Sequence, residues 1–441
     1  MTNDELKEVI AEATRLPIPP TVSREVELLR GVGKADVLIG MRRTGKSSIL
    51  FQEASKAIEA GASRGQIAYF NFDNLAFTDF RGADLLRLVE TWMATQPKAE
   101  RSTPLLLLDE IQQIDGWERA TREMIESKRA RIMITGSSAK LLSQEIATSL
   151  RGRSLSTEVW PFSLSEAMKL WNIAIPKRWP LSRSENARIG NTFDRYFESG
   201  GFPEVLSLTA NHRDRVLSEY VDIALLRDVI ERFRVSNVVA LKRLVAQLMR
   251  SSGRRVSINK FSQDFSSQKI EVSKNTLYEY QAHLEDAFVF FSVPIFSESP
   301  RKQQTNPAKN YAIDPALVRA NTLGASDKGL ALETLVYIEL RRRGLAPTYY
   351  ISPQKREVDF VTRDKTGSLT FYQVAWSIFD DRETQMREIK ALSDARKEFP
   401  DATFVAVTSH DSGRIQYEDG LIVHVIPYYR WVLQKESLQE A

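Results

Sequence analysis

The residues best able to do chemistry lie in one run, Gly40-Met41-Arg42-Arg43-Thr44-Gly45-Lys46-Ser47, which fits the pattern GxxxxGK(S/T). Glycines let the backbone bend closely around a polyphosphate and turn its N–H groups inward, and a helix opening at the loop's end adds its positive dipole end. On this reading Lys46 neutralises the β- and γ-phosphates of ATP and Ser47 ligates Mg²⁺, while Gly40, Arg43, Thr44, Gly45 and Ser48 complete the phosphate lining. A metal ion beside a triphosphate also calls for a carboxylate at the end of a nearby buried strand. The run Thr103 to Glu110, TPLLLLDE, supplies one: Asp109 orients the ion and its waters, and Glu110 polarises the attacking water. A further run, RIMIT, ends in Gly136-Ser137-Ser138. The Ser137 hydroxyl there suits a hydrogen bond to the water or γ-phosphate, with a turn cap as the competing role.

Such a constellation needs a sheet to carry it. Short apolar runs at Asp36 to Ile39, Ile67 to Phe72, Leu105 to Leu108 and Arg131 to Thr135 alternate with longer helical segments, the pattern of a parallel sheet covered on both faces. The glycine-rich run follows the first strand and precedes the helical segment Ser48 to Ile58, as phosphate binding requires. The first 24 residues read as an amphipathic helix broken by Pro17, Pro19 and Pro20, a packing arm. After Pro161 the strand runs give way to helices rich in Leu, Arg and Glu as far as about Arg234.

The chain has 441 residues, 42% hydrophobic and 27% charged, a composition for several cores. The absence of cysteine excludes disulfides, thiolate metal sites and cysteine nucleophiles, and His212, His283, His410 and His424 are spaced unlike any metal site. An acidic N-terminus and the lack of any long apolar run predict a cytoplasmic protein without membrane contact. Net charge is only +4, yet the window Asn237 to Asn310 holds 11 Lys or Arg against 6 Asp or Glu. There a helix ends near Arg250, a second covers Ile258 to Phe265, and a third, opened by Ser273, turns Leu277, Tyr280 and Leu284 inward. An apolar strand and a polar loop follow, so the window resembles a winged helix. Lys274, Asn275, Tyr278 and Gln281 then face outward, flanked by Arg254, Arg255, Arg301 and Lys302, and suit double-stranded DNA or a protein partner.

The segments VLIGMRRTGKSSIL, LLLLDEIQQIDGWE, IMITGSSAKLLSQEIATSLRGRS, WPFSLSEAM, YFESGGFPEVL and ALLRDVIERF resemble a prokaryotic family of AAA-type ATPases fused to a C-terminal domain of unknown function. The resemblance covers nearly the whole chain. It implies that Arg153 of LRGR, or its competitor Arg151, is an arginine near the nucleotide that stabilises the transferred phosphoryl group within one subunit or across a homo-oligomer. It also implies that Gly201 and Pro203 of GGFP wall the adenine pocket, with a helix cap and stop as the alternative.

Farther on, a helix with Glu333, a strand with Asp359 and a strand with Gln373-Val374-Ala375 resemble the PD-(D/E)xK nuclease arrangement. Gln373 stands where that arrangement has a metal-binding acid and Ala375 where it has lysine, so a degenerate fold kept for binding is expected, with Lys355 as a displaced substitute for the lysine. The expected architecture is α/β: a P-loop core over 1–160, a helical lid over 161–235, a winged-helix domain over 236–322 and a mixed α/β nuclease-like domain over 323–441. The expected activity is Mg²⁺-dependent ATP hydrolysis, with a nucleotide-gated binding module and an ATP-dependent DNA nuclease as the alternatives.

Overall fold

Each apolar run forms a strand because its side chains are buried on both faces, and a fully buried Leu contributes about 1.5–3 kcal/mol relative to exposure. The strands are β1 (Ala35–Ile39), β2 (Ile67–Asn71), β3 (Leu105–Asp109) and β4 (Arg131–Gly136), joined by β5 (Ser154–Glu158). The computed structural model describes residues 2–15, 17–96, 103–137, 150, 152–322 and 327–434. Among them the chain divides into two units, Met1–Val159 with Asp286–Phe288, and Trp160–Glu285 with Val289–Ala441. Ser138 and Arg151 lie outside the described residues.

In the first unit all pairings are parallel, in the order β2-β3-β4-β1-β5. Ile39 lies opposite Gly136 and Asn71 opposite Asp109, so the ends of these strands share one edge of the sheet. Helices α1 (Asn3–Arg15), α2 (Lys46–Glu59), α3 (Gly82–Ala94) and α4 (Trp117–Ser127) accompany it. Helix α2 buries Ile49, Leu50 and Ala54 in a cluster with Leu38, Leu105, Leu107 and Met133. Strand β5 escaped the sequence reading: SLSTE is polar and only partly covered, so it carries no buried-strand signature. The N-terminal arm reaches the loop after β1 at Arg24, whose guanidinium donates to the Thr44 carbonyl at 2.6 Å.

The second unit opens with helices α5 (Leu164–Leu170), α6 (Arg183–Ser199) and α7 (Ala210–Ile223), the last continued by a wide π-helical stretch, Ala224–Glu231. Next come α8 (Val238–Arg250), β6 (Arg254–Val256), α9 (Ile258–Ser267), α10 (Lys274–Asp286), β7 (Phe290–Val293), α11 (Pro300–Thr305), β8 (Ala308–Ala312) and α12 (Pro315–Ala320). Leu277, Tyr280 and Leu284 are buried as their spacing predicts. The three strands pair antiparallel in the order β6-β8-β7.

The chain ends with α13 (Lys328–Arg342), β9 (Thr348–Ile351), β10 (Glu357–Arg363), β11 (Leu369–Ala375), α14 (Arg382–Glu398), β12 (Thr403–Thr408), β13 (Gly413–Gln416), β14 (Ile422–Pro427) and α15 (Tyr428–Leu433). Strands β9, β10 and β11 are antiparallel, and the crossover through α14 makes β11 and β12 parallel. Val358, Phe371, Ile389, Leu392, Phe404 and Val423 form the core of this mixed sheet.

Candidate functional site

The loop after β1 needs glycine at two positions. Gly45 takes a left-handed φ of 95° as the cap of α2, and a Cβ on Gly40 would come within 2.2 Å of the Val159 carbonyl oxygen. The loop curls over Lys46, whose Nζ donates to the carbonyls of Gly40 at 2.9 Å and Met41 at 3.2 Å. Thr44 Oγ1 also donates to Met41, at 2.9 Å, and Arg42 pairs with Asp73 at 3.1 Å. Arg43 holds a φ of 68°, a conformation uncommon for a side chain of its size.

Asp109 ends β3 on the same edge and is buried. Tyr69 donates to its Oδ2 at 2.6 Å, and the Thr135 hydroxyl donates to its Oδ1. Burial pushes the Asp109 carboxyl up, against the hydrogen bonds of Thr135 and Tyr69; Glu110 adds to the rise and the Ser47 hydroxyl opposes it. Burial and the Asp109 charge keep the Tyr69 phenol protonated far above its ordinary range. Glu110 follows with φ 54°, a left-handed position stabilised by its N–H donating to Thr135 Oγ1 at 3.0 Å. Its carboxylate lies 3.7 Å from Lys46 Nζ and accepts from Gln112 Nε2 at 2.5 Å; Gln112 also reaches Ser137 Oγ at 3.3 Å.

The structure therefore brings together Gly40, Arg43, Thr44, Gly45, Lys46, Ser47, Ser48, Asp109, Glu110 and Ser137 at one end of one sheet. Sequence reasoning passed over Arg24, Tyr69, Gln112 and Thr135. Only Thr135 left a signal, as the hydroxyl closing the apolar run RIMIT.

Residues 33–168 match the AAA domain, and residues 190–328 match a domain of unknown function, DUF8612. The uncharacterized protein MJ1544 of Methanocaldococcus jannaschii is 30% identical over 421 residues, spanning 93% of this chain and 91% of its own length. The chain belongs to the AAA domain family. An uncharacterized protein of Haemophilus influenzae is also 30% identical, over 78% of this chain and 82% of that protein. Two solved structures share an outline: Aeropyrum pernix ORC1 in complex with DNA (18% identity, 72% of this chain, 90% of that chain, TM-score 0.30) and AMPPCP-bound DnaA from Aquifex aeolicus (14%, 64%, 86%, 0.27). Likeness of that extent carries no functional argument.

The AAA domain's donor set fits ATP with Mg²⁺. The loop is closed to any side chain at Gly40, a buried ammonium sits on its carbonyls, and the oxygen-bearing side chains of Ser47 and Asp109 are of the kind that suits a hard cation.

Arg153 does not join them. Its carbonyl accepts from the Ala35 N–H at 2.8 Å, which places it at the start of β1, and its guanidinium pairs with Glu126. The loop leaves the other end of β1, roughly 13 Å away at 3.3 Å per residue. Arg153 thus lies at the end of β1 opposite the phosphate loop.

In the second unit Gly200 caps α6 with φ 74°. The Gly201 N–H donates to Asp314 at 2.6 Å, a Cβ there would come within 2.5 Å of the Phe162 carbonyl, and Pro203 opens the turn Pro203–Ser207. The helix-cap reading of GGFP accounts for these contacts. The basic window also needs correction. Gln281 turns inward and donates to Ser292 at 2.6 Å, and Arg255 is held by Glu357 at 3.1 Å. Lys274, Asn275 and Tyr278 remain on the exposed face of α10. Lys355 lies exposed on the turn before β10; the cation among the acids Glu333 and Asp359 is Lys309.

Proposed function

We propose that this chain is a Mg²⁺-dependent ATPase whose nucleotide state is passed to the residues after Val159. The observation that carries the reading is the convergence of the phosphate loop and the Asp109-Glu110 pair on one sheet edge, with Lys46 Nζ 3.7 Å from the Glu110 carboxylate. The loop amides and Lys46 bind the β- and γ-phosphates, and Ser47 and Asp109 hold the ion. Bound there, Mg²⁺ offsets charge on the phosphate oxygens. Tyr69 and Thr135 orient the Asp109 carboxylate, leaving Glu110 to accept a proton from the attacking water.

One feature supports a switch as the second reading. Glu110 is engaged by Gln112 and faces Lys46, so the carboxylate must leave these partners before it can serve a water. A nucleotide-gated module with slow turnover fits that arrangement. The division into a core to 160, a lid to 235, a winged helix to 322 and a nuclease-like domain beyond belongs to this proposal. So does a double-stranded DNA partner at Lys274, Asn275 and Tyr278.

Glu110→Gln tests the catalytic assignment. It should bind ATP as the wild type does by calorimetry while losing about 100-fold or more in turnover. An unchanged hydrolysis rate would remove Glu110 from its role, and no ATP affinity in the wild type would remove the proposal.

A further inference from the structure

A second group of acids lies in the second unit, centred on Lys309 of β8. Its ammonium meets Glu333 Oε1 of α13 at 2.5 Å, and Glu357 Oε1 and Asp359 Oδ1 of β10 at 2.9 and 3.0 Å. All three carboxylates lie within 3.0 Å of the ammonium, which donates a hydrogen bond to Asp359 Oδ1. Only 2% of the lysine side chain is exposed, and the rings of Tyr311 and Phe360 flank it, each centroid 5.9 Å from Nζ. Burial opposes the charge, but Glu333, Asp359 and Glu357 together hold the ammonium well above its ordinary value.

Further donors meet these carboxylates. Tyr311 donates to Glu333 Oε1 at 2.5 Å, and Arg255 Nε meets Glu357 Oε2 at 3.1 Å. Asp359 Oδ2 accepts from the Val374 N–H and from Gln373 Nε2, both at 2.9 Å. The same Gln373 amide donates to Glu388 Oε2 at 2.5 Å, and Arg387 takes the other Glu388 oxygen at 2.6 Å.

An acid on a helix, an acid on a strand and a residue on the next strand form the arrangement in which a nuclease of the PD-(D/E)xK kind would hold a divalent ion. A metal needs carboxylate lone pairs aimed at a common vacant point. Here that point, between Glu333 and Asp359, contains a positive charge belonging to the chain, and Gln373 Nε2 donates to the other Asp359 oxygen. The residues do not fit the metal.

We propose that the Lys309 ammonium stands in the divalent-cation position of the Glu333 and Asp359 carboxylates, so that this half of the protein holds no metal and cuts no nucleic acid. The lysine comes from the β6-β8-β7 sheet and its partners from α13 and β10, so the ion pairs fasten that small sheet to the C-terminal one. Three carboxylates, those of Glu333 and Asp359 buried and that of Glu357 partly exposed, remain when the ammonium is removed, and the site then accepts a divalent cation.

Manganese binding tests this on the full chain without nucleotide, in a Lys46→Ala background that keeps the phosphate loop silent. Wild-type Lys309 should show no saturable Mn²⁺ signal by electron paramagnetic resonance up to millimolar ion, and no rise in Tm. Lys309→Ala should bind one Mn²⁺ with Kd of about 0.1–1 mM, the range of weak oxygen-ligand sites, and gain Tm with added ion. Adding Asp359→Asn to it should abolish that binding. Saturable Mn²⁺ binding by the Lys309 protein that Asp359→Asn removes would overturn the proposal. So would a folded Lys309→Ala that takes no Mn²⁺. If Lys309→Ala does not fold, the titration of the Lys309 protein decides alone.

Discussion

Thr135 holds Asp109 in place across two neighbouring strands: its hydroxyl donates to the buried carboxylate and accepts the N–H of Glu110 at 3.0 Å. One side chain thereby sets the orientation of both acids. Thr135→Val keeps the shape and removes the donor, so the Asp109 carboxyl should rise further and Mg²⁺-supported turnover should drop about 10- to 100-fold, as for other residues that orient metal ligands. Thr135→Ser should restore most of it. Steady-state hydrolysis over a Mg²⁺ titration reads the effect as a raised metal requirement.

Arg153 gives a prediction from distance. At the far end of β1 and paired with Glu126, it should be replaceable by Ala in dilute monomer with turnover changed less than about twofold. If turnover per subunit rises with protein concentration and Arg153→Ala removes only that rise, the arginine serves a neighbouring subunit.

Glu53 gives a pH dependence. Burial alone would raise its carboxyl, but hydrogen bonds from Lys56, Arg131 and Arg30 outweigh burial and hold it at about 2, against an ordinary 4.5. The folded value is the depressed one, so the stabilisation is complete above about pH 4.5, declines as pH falls and is gone below about 2. Thermal midpoints of wild type and Glu53→Gln, followed across that window, should converge toward the acid end. A constant gap would show that the ion pairs contribute nothing there.

The exposed face of α10 predicts salt behaviour. If duplex DNA binds through Lys274 and Tyr278, Lys274→Glu with Tyr278→Ala should weaken binding and reduce the slope of log K against log salt by about 1. Fluorescence anisotropy at several salt concentrations measures both. Affinity no different from the double variant would assign that face to another partner.

The phosphate loop and the Asp109-Glu110 pair were legible in the sequence because their chemistry depends on near neighbours. Glycines at fixed spacing shape one turn, and a run of buried Leu must end at a sheet edge with its acids beside it. Helix α10 was legible for the same reason, since Leu277, Tyr280 and Leu284 repeat at the helical period. Tertiary structure decided the rest. Tyr69 and Thr135 meet Asp109 from 40 and 26 positions away, and Lys309 meets Asp359 across 50, separations at which no periodicity operates. The position of Arg153 was not legible because β5 is a polar edge strand, whose existence and direction come from pairing with β1 rather than from an apolar pattern of its own. Residue types near one another in the chain specify a local shape and its chemistry; which charge faces which acid is settled only when strands distant in sequence are laid side by side.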